Sequence, residues 1–273
     1  MTTTTYRFSI GEIRLMVIAD GGDVMGEKHL GTMLNPLSED VLQAFREGVQ
    51  PYLFSLSAVY LETGTERILV DAGEGEGSKP RSGHLMDRLR EEGIALESIT
   101  KIMITHCHRD HIGGLLTAEG TPMFPQAEVY ICREEWAWWV ESGSVPAERT
   151  ALVKAALSPY GERLHYVSDG DVLAEGVTVL ALPGHTPGHC GLMIESNGER
   201  LIDIVDAIHL VVQMKFPHVS PKFDTDPTLS AQTRRAILER IAAEGVLTLA
   251  YHLPFPSLGH VRQEEEGFAW MPV

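Results

Sequence analysis

The chain has 273 residues, 44% of them hydrophobic and 22% charged, a composition typical of a folded globular protein rather than a disordered or fibrous one. Its formal charge of -16 comes from 38 acidic and 22 basic residues and argues against nucleic acid as a partner. No segment is apolar over the length of a membrane span, and the first residues lack a secretory signal pattern. We therefore expect a cytoplasmic protein with no membrane partner.

The predicted elements begin with a β-hairpin, in which apolar alternation through 6–10 and 13–18 flanks a turn at Gly11 and Glu12. Helices are predicted after a cap at Ser38, over 84–92 and 147–157, and from Asp226 and Pro227 onward. Further strands are predicted at 53–61, 68–70, 102–105, 129–132, 177–182, 201–205 and 246–251.

Early strands that outnumber the helices, followed by alternation of the two, favour an α/β (α+β) class in which helices cover sheets. No low-complexity tract or Pro/Ser-rich linker divides the sequence, so we expect one domain over 1–273. Cys107, Cys132 and Cys190 are too few for a disulfide framework and are expected to be free thiols.

The densest chemical signal directly follows the predicted strand 102–105 and reads His106-Cys107-His108-Arg109-Asp110-His111. Imidazole and carboxylate suit zinc and its neighbours in the first transition row, and a loop at a strand end can turn all four side chains toward one point. The alternative is a solvated polar loop, but four such ligands in six positions favour a metal site. Cys107 is expected to point away from the metals.

Three later segments each add one candidate ligand. His185 lies in Pro183-Gly184-His185-Thr186-Pro187-Gly188-His189, Asp206 follows the predicted strand 201–205, and His252 follows 246–251. Taken singly, each is better explained as a hydrogen-bonded structural residue. Their value lies in their order along the chain.

In that order the segments resemble the metallo-β-lactamase superfamily, whose signature is His-x-His-x-Asp-His, a later His, a bridging Asp and a final His. The resemblance spans nearly the whole chain, because Val70-Asp71-Ala72-Gly73 also looks like the family's early Asp-x-Gly. It implies an αββα sandwich, with two mixed sheets and helices on both outer faces. It also implies a metal-ligand set: His106, His108 and His185 for the first metal, Asp110, His111 and His252 for the second, and Asp206 between them.

Three neighbouring residues are expected to have other roles. Asp203 competes with Asp206, but period-two alternation would put the two on opposite faces of a strand, and Asp206 is at the strand end. The family uses the first histidine of its Pro-Gly-His-Thr-Pro-Gly-His segment, so His189 is expected to be structural. Asp71 is expected either to orient a ligating imidazole or to occupy a strand-end turn.

The resemblance implies a hydrolase that uses a hydroxide bridging two divalent metal ions as its nucleophile. Zinc is the metal expected first, and iron, manganese and cobalt accept the same ligands. No Gly-x-Ser-x-Gly nucleophile elbow is present. The expected catalytic residues are Asp110, which is also a ligand, and His209.

Within the superfamily, 205–213, 223–226 and the ending from His252 to His260 resemble methyl parathion hydrolase and the quorum-quenching lactonases. In acyl-homoserine lactonases a Tyr takes the position of His209; the imidazole could donate the same hydrogen bond to a substrate oxygen, or simply be packed. Lactones and aryl esters are the expected small-molecule substrates, with phosphotriesters secondary and β-lactams poor. Relatives in this branch imply a homodimer.

Trp136, Trp138 and Trp139 gather on a predicted short helix, where they either belong to the core or line a pocket for an aromatic leaving group. Two alternative functions of the same fold are glutathione thioester hydrolysis and mono-iron persulfide dioxygenation. Both would need clustered Arg or Lys for the carboxylates of the substrate, and the sequence places no such cluster.

Overall fold

The computed structural model describes residues 4–273, so the first three residues of the N-terminal segment discussed above lie outside it. In chain order the strands are β1 (Thr5–Ile10), β2 (Ile13–Met25), β3 (Leu34–Asn35), β4 (Tyr52–Thr63), β5 (Glu66–Val70), β6 (Lys101–Ile104), β7 (Glu128–Cys132), β8 (Leu164–Val167), β9 (Val172–Ala174), β10 (Val177–Ala181), β11 (Cys190–Ser196), β12 (Glu199–Asp203), β13 (Ser220–Pro221), β14 (Leu247–Leu249), β15 (Leu258–Gln263) and β16 (Phe268–Pro272). The helices are α1 (Glu27–Met33), α2 (Glu39–Glu47), α3 (Leu85–Glu91), α4 (Arg109–Ile112), α5 (Arg133–Trp136), α6 (Ala147–Leu157), α7 (Val212–Lys215) and α8 (Pro227–Glu244).

Within residues 4–273 the strands form two seven-stranded sheets and a small pair, β3 with β13. The first sheet has the order β1-β2-β4-β5-β6-β7-β8, antiparallel as far as β5 and parallel from β5 to β8. The second has the order β16-β15-β14-β12-β11-β10-β9 and is antiparallel except between β12 and β14. Both sheets are therefore mixed, which confirms the predicted fold class.

Alternation along the strands divides the core into layers. On β6, Ile102 and Ile104 pack with α3 and α6, whereas Met103 faces the second sheet. On β12, Leu201 belongs to the core between the sheets and Ile202 to the core beneath α8. The resulting order of layers is helix, sheet, sheet, helix, as the resemblance implied.

The predicted helix starts are confirmed by their caps. Ser38 Oγ accepts a hydrogen bond from Val41 N at 3.3 Å at the start of α2, and Asp226 Oδ1 accepts one from Leu229 N at 2.9 Å at the start of α8, where Pro227 is the first residue. The helices predicted at 84–92 and 147–157 are α3 and α6.

Other predictions were incomplete. The strand predicted at 201–205 ends at Asp203, and Val205–Ala207 forms a 3-10 turn. The strands β3, β8, β9, β11, β13, β15 and β16 were not predicted, because strand formation depends on pairing with neighbours that can be distant in sequence as well as on the pattern of the strand itself. After α5 the chain continues as a π-helical segment, Ala137–Glu141.

Two expectations from composition can be compared with the described residues. Across residues 4–273, every helix is too short or too polar to cross a lipid bilayer. Cys107, Cys132 and Cys190 are buried and free, as predicted.

Candidate metal centre

The candidate ligands lie in loops that follow strands and meet at one edge of the two sheets. The segment from His106 to His111 follows β6, His185 follows β10, Asp206 follows β12 and His252 follows β14. Because β12 and β14 are parallel neighbours, Asp206 and His252 emerge at the same edge. The parallel pairing thus brings together two residues 46 positions apart.

Two local features shape these loops. His108 is the N-cap of α4, so Asp110 and His111 lie within one turn of it. Gly184 has a φ of 128°, and a Cβ there would lie 2.3 Å from Ser230 N. Only glycine therefore lets the loop that carries His185 pack against α8.

The first cluster consists of His106, His108 and His185. His108 Nδ1 lies 3.0 Å from Nε2 of both other histidines. Asp206 Oδ2 lies 3.6 Å from His106 Nε2 and 3.3 Å from His185 Nε2. These separations are close to the spacing of about 3.3 Å between ligand atoms of a tetrahedral zinc ion with Zn–N bonds of about 2.0–2.1 Å.

The second cluster consists of Asp110, His111 and His252. Asp110 Oδ2 lies 3.5 Å from His111 Nε2 and 3.6 Å from His252 Nε2. Asp206 reaches this cluster as well, since Oδ1 lies 3.5 Å from His111 Nε2 and Oδ2 lies 3.1 Å from His252 Nε2. Asp206 thus lies between the clusters, whereas Asp203 does not contact either.

The centre fits two divalent cations. Among residues 4–273, His111 Nε2 and Asp206 Oδ1 are buried without a hydrogen-bond partner, which is costly unless another group binds them. Burial opposes ionisation of Asp206, but His252, His111 and His106 outweigh it and hold the pKa of that carboxyl well below its usual range. Imidazole nitrogens and carboxylate oxygens that converge on one point are the ligand set that a divalent cation requires.

In four of the five candidate imidazole ligands, the ring nitrogen that points away from the centre contacts another group, which fixes the orientation of the ring. The pairs are His106 Nδ1 with Thr105 Oγ1 at 3.2 Å, His111 Nδ1 with Asp71 Oδ2 at 2.7 Å, His185 Nδ1 with Asp224 Oδ1 at 2.7 Å, and His252 Nδ1 with the Ser55 carbonyl at 3.0 Å. Asp71 therefore orients an imidazole, one of its two predicted roles. Asp224 was missed as an orienting group, because the segment 223–226 indicated only a branch of the family.

Asp203 and His189 support the backbone around Asp206. Asp203 Oδ1 accepts a hydrogen bond from Val205 N at 3.1 Å, and burial raises the pKa of Asp203 to about 7. Val205 has a φ of 46°, which is strained for a β-branched residue, so Asp203 stabilises the turn that places Asp206. His189 Nε2 accepts from Asp206 N at 3.2 Å while Nδ1 contacts the Leu182 carbonyl at 2.8 Å, as expected for a structural histidine.

His209 is fully buried, and within residues 4–273 neither of its ring nitrogens has a hydrogen-bond partner. Nε2 lies 3.3 Å from Asp206 Oδ2, and the ring stacks on His252 with centroids 5.0 Å apart. Burial lowers the pKa of His209 to about 4, so the ring is neutral at pH 7. A neutral imidazole has one N–H to donate.

A cavity of about 1080 Å³ opens over the centre, lined by His108, Asp110, Asp206, His209 and His252. Its remaining wall is mainly apolar and includes Met25, Met33, Phe54, Leu116, Trp139 and Phe223. Of the three tryptophans grouped in the sequence, Trp139 lines the cavity and also belongs to the core beneath α3 and α6. Trp136 and Trp138 are partly buried and pack against that core. The two alternatives for this group are therefore each right in part.

Comparison with known proteins gives a family match and relatives of several activities. The model of the metallo-beta-lactamase superfamily matches residues 52–202. An N-acyl homoserine lactonase of Bacillus cereus is 25% identical over 234 residues, covering 78% of this chain and 83% of that protein. An atrochrysone carboxyl ACP thioesterase of Passalora fulva is 26% identical over 166 residues, covering 60% of this chain. The match spans less than half of the thioesterase, 41% of its length.

Solved structures resemble the entire fold. The hydrolase AbOPH, of the beta lactamase superfamily, has a TM-score of 0.88 and 26% identity, covering 100% of this chain and 98% of that chain. AidC, a dizinc quorum-quenching lactonase solved with N-hexnoyl-L-homoserine, its product, has a TM-score of 0.85 over 98% of this chain and 97% of its own. At 24% identity, AidC supports the fold alone.

Proposed function

Because this chain belongs to the metallo-beta-lactamase superfamily and is a metal-dependent hydrolase, we propose that it uses two metal ions to open lactones or cleave aryl esters. The observation that carries the proposal is a pair of ligand clusters at the base of a largely apolar cavity, with Asp206 within 3.1–3.6 Å of histidines in both. The lactonase relative of Bacillus cereus supports the same reaction class.

In this proposal the first cluster and Asp206 hold one metal ion, and the second cluster and Asp206 hold the other. Two divalent cations held by these residues would lower the pKa of a water molecule and polarise the oxygen of the bond to be broken. Zinc is the metal we propose, since three imidazoles in one cluster and a mixed imidazole and carboxylate set in the other suit it.

The protein's own residues bind and orient the substrate. The apolar wall of the cavity takes an acyl chain or aromatic ring and excludes water from it. His209 donates a hydrogen bond to the carbonyl oxygen, because its unpartnered ring lines the cavity next to Asp206. The Asp110 side chain, 25% exposed and lining the cavity, would take the proton that the attacking water releases and pass it to the departing oxygen.

A substrate screen tests the proposal. Protein loaded with two equivalents of zinc is assayed on lactones, aryl esters, phosphotriesters and β-lactams, and kcat/KM is compared. We expect lactones or aryl esters to give the highest values, phosphotriesters lower values and β-lactams little turnover. A phosphotriester or β-lactam that exceeds every lactone and aryl ester would refute the substrate assignment.

The role of His209 is tested by His209→Phe, which keeps an aromatic ring at this position but removes the N–H donor. We expect kcat for lactones to fall by about tenfold to a thousandfold at unchanged metal content, the range for one hydrogen bond that acts on the transition state. Unchanged lactone kinetics with two metals still bound would remove His209 from the mechanism.

Thioester hydrolysis is a second candidate, favoured by two arginines on the cavity. Arg109 and Arg149 both line it, and within the described residues neither forms a salt bridge, although the protein is strongly acidic overall. Guanidinium groups without an acidic partner suit the carboxylates of a glutathione thioester. If this candidate is right, glutathione thioesters give the highest kcat/KM in the screen and Arg149→Ala raises their KM. A content of one iron per chain would instead indicate a persulfide dioxygenase.

We further propose one domain over 1–273 that acts as a homodimer in the cytoplasm. The core shared by the two sheets supports one domain. The exposed cross-strand pair Val24 and Leu53 gives β2 and β4 an apolar surface that a second copy could cover. Sedimentation equilibrium measures the mass, and a monomer at micromolar concentration would contradict the dimer.

A further inference from the structure

A buried carboxylate that the sequence did not single out lies behind the first cluster. Glu135 is in α5 and is fully buried, whereas its neighbour Glu134 is exposed. A buried carboxylate normally requires a cation or several hydrogen-bond donors. The contacts of Glu135 are therefore informative.

Each carboxylate oxygen of Glu135 accepts hydrogen bonds from two donors. Oε1 accepts from Cys107 N at 2.9 Å and from Trp139 Nε1 at 2.6 Å. Oε2 accepts from Thr186 Oγ1 at 2.7 Å and from Gly188 N at 3.0 Å. The two oxygens thus join segments that are far apart in the sequence.

Those segments carry every imidazole of the first cluster. Cys107 lies between His106 and His108, and Thr186 directly follows His185. Trp139, the side-chain donor to Oε1, packs edge-on against His108 with ring centroids 5.8 Å apart. Glu135 can therefore fix the first cluster through its loops without contacting a metal.

The packing around Glu135 leaves little freedom for these loops. A Cβ on Gly188 would lie 2.1 Å from Glu135 N and 2.6 Å from Glu135 Cβ. Only glycine permits this close approach, so the loop that carries His185 packs directly on the backbone of α5.

We propose that Glu135 is a positioning residue for the first metal site, setting the affinity of the first cluster and leaving the second cluster unaffected. The inference rests on the proposed two-metal function and assigns a further residue to it. The second cluster is held by other groups, since Asp71 binds His111 and the Ser55 carbonyl binds His252.

Glutamine is the informative substitution because it is almost the same shape. Three of the four partners are N–H groups that can only donate, so the ionised carboxylate satisfies them all. Burial raises the pKa of Glu135, while its hydrogen bonds to Thr186, Cys107 and the other donors act in the opposite direction. An amide supplies one acceptor oxygen and turns an NH₂ group toward the remaining donors.

The experiment measures stepwise zinc dissociation constants by competition with a chelator, together with thermal unfolding of the metal-free proteins. It compares wild type, Glu135→Gln and the matched control Glu134→Gln. We expect Glu135→Gln to weaken one zinc equivalent by about tenfold to a hundredfold, as for other groups that orient metal ligands. The second equivalent and both equivalents of Glu134→Gln should match wild type.

A further variant identifies which site is weakened. His252→Ala removes a ligand of the second cluster, so in the double variant Glu135→Gln/His252→Ala each zinc equivalent should be weakened only by the factor of its own single substitution. If the two substitutions weaken the same equivalent, Glu135 does not act selectively on the first cluster and the proposal fails.

Two results would overturn the proposal directly. One is a Glu135→Gln protein whose metal-free form is less stable while both dissociation constants are unchanged, because Glu135 is then purely structural. If Glu135→Gln does not fold, the test uses Thr186→Val, which removes one hydrogen-bond donor to Glu135. Weaker binding of one zinc equivalent by Thr186→Val supports the proposal, and unchanged zinc binding overturns it. The failure of this inference can be distinguished from the failure of the proposed function. If the wild type binds two zinc ions and hydrolyses lactones while both dissociation constants of Glu135→Gln match wild type, only this inference is refuted. If the wild type binds two zinc ions but hydrolyses none of the substrates, only the proposed function is refuted.

Discussion

The first and second clusters differ in how the protein holds them and in how they face the cavity. His106 and His185 of the first cluster are enclosed, and only His108 lines the cavity. In the second cluster Asp110 and His252 both line it. The first cluster is also backed by Glu135, which joins its two loops, whereas the buried carboxylate of Asp71 behind the second cluster bonds His111 and Thr105 on one loop.

This difference assigns different tasks to the clusters. In the first cluster, Glu135 holds together the loops that carry the three imidazoles, and we expect such a site to retain its metal. We expect the second cluster, with its partly exposed carboxylate on the cavity side, to meet the substrate and to exchange its metal more readily. Asp206 couples the two, because its oxygens contact both.

The largest effect is expected from Asp206→Ala, which removes the group common to both clusters. We expect both metals to bind more weakly and kcat/KM to fall on the order of a thousandfold, since metal-ion stabilisation is worth several kcal/mol. Elemental analysis and lactone kinetics measure the two effects. The control Asp203→Ala loosens the turn that places Asp206 but removes no ligand, so it should weaken metal binding far less than Asp206→Ala does; a greater loss of metal in Asp203→Ala would mean that Asp203 is the bridging residue.

A smaller, one-sided effect is expected from His252→Ala. This ligand belongs to the second cluster, so one metal equivalent should be lost while the first is retained, and kcat should fall on the order of a hundredfold. Zinc titration followed by thermal unfolding of the metal-free protein checks this. If both equivalents weaken equally, the two clusters are not separable and the comparison between them fails.

The smallest effect is expected from the carboxylates that orient imidazoles. Asp224→Asn should weaken the first site through His185, and Asp71→Asn should weaken the second through His111, each by about tenfold to a hundredfold in metal affinity. Chelator competition on the two variants separates the sites. The same equivalent lost in both variants would contradict the assignment of ligands to clusters.

The sequence by itself determined which side chains are candidate metal ligands and much of their local geometry. Spacing within 106–111 places four ligands on one strand-end loop and one short helix, and such spacing is a local property. The caps at Ser38 and Asp226 were predictable for the same reason, since a cap depends on residues three positions away.

Tertiary structure decided the rest, because the contacts involved join distant parts of the chain. Glu135 reaches Cys107 across 28 positions and Thr186 across 51, so no local pattern distinguishes it from its neighbour Glu134. Asp206, rather than Asp203, reaches the centre because of two features. Strand β12 ends at Asp203, two residues before the end of the predicted strand, and the chain then makes a strained turn at Val205. Local spacing specifies which side chains can bind a metal, and packing between the sheets specifies which of them meet.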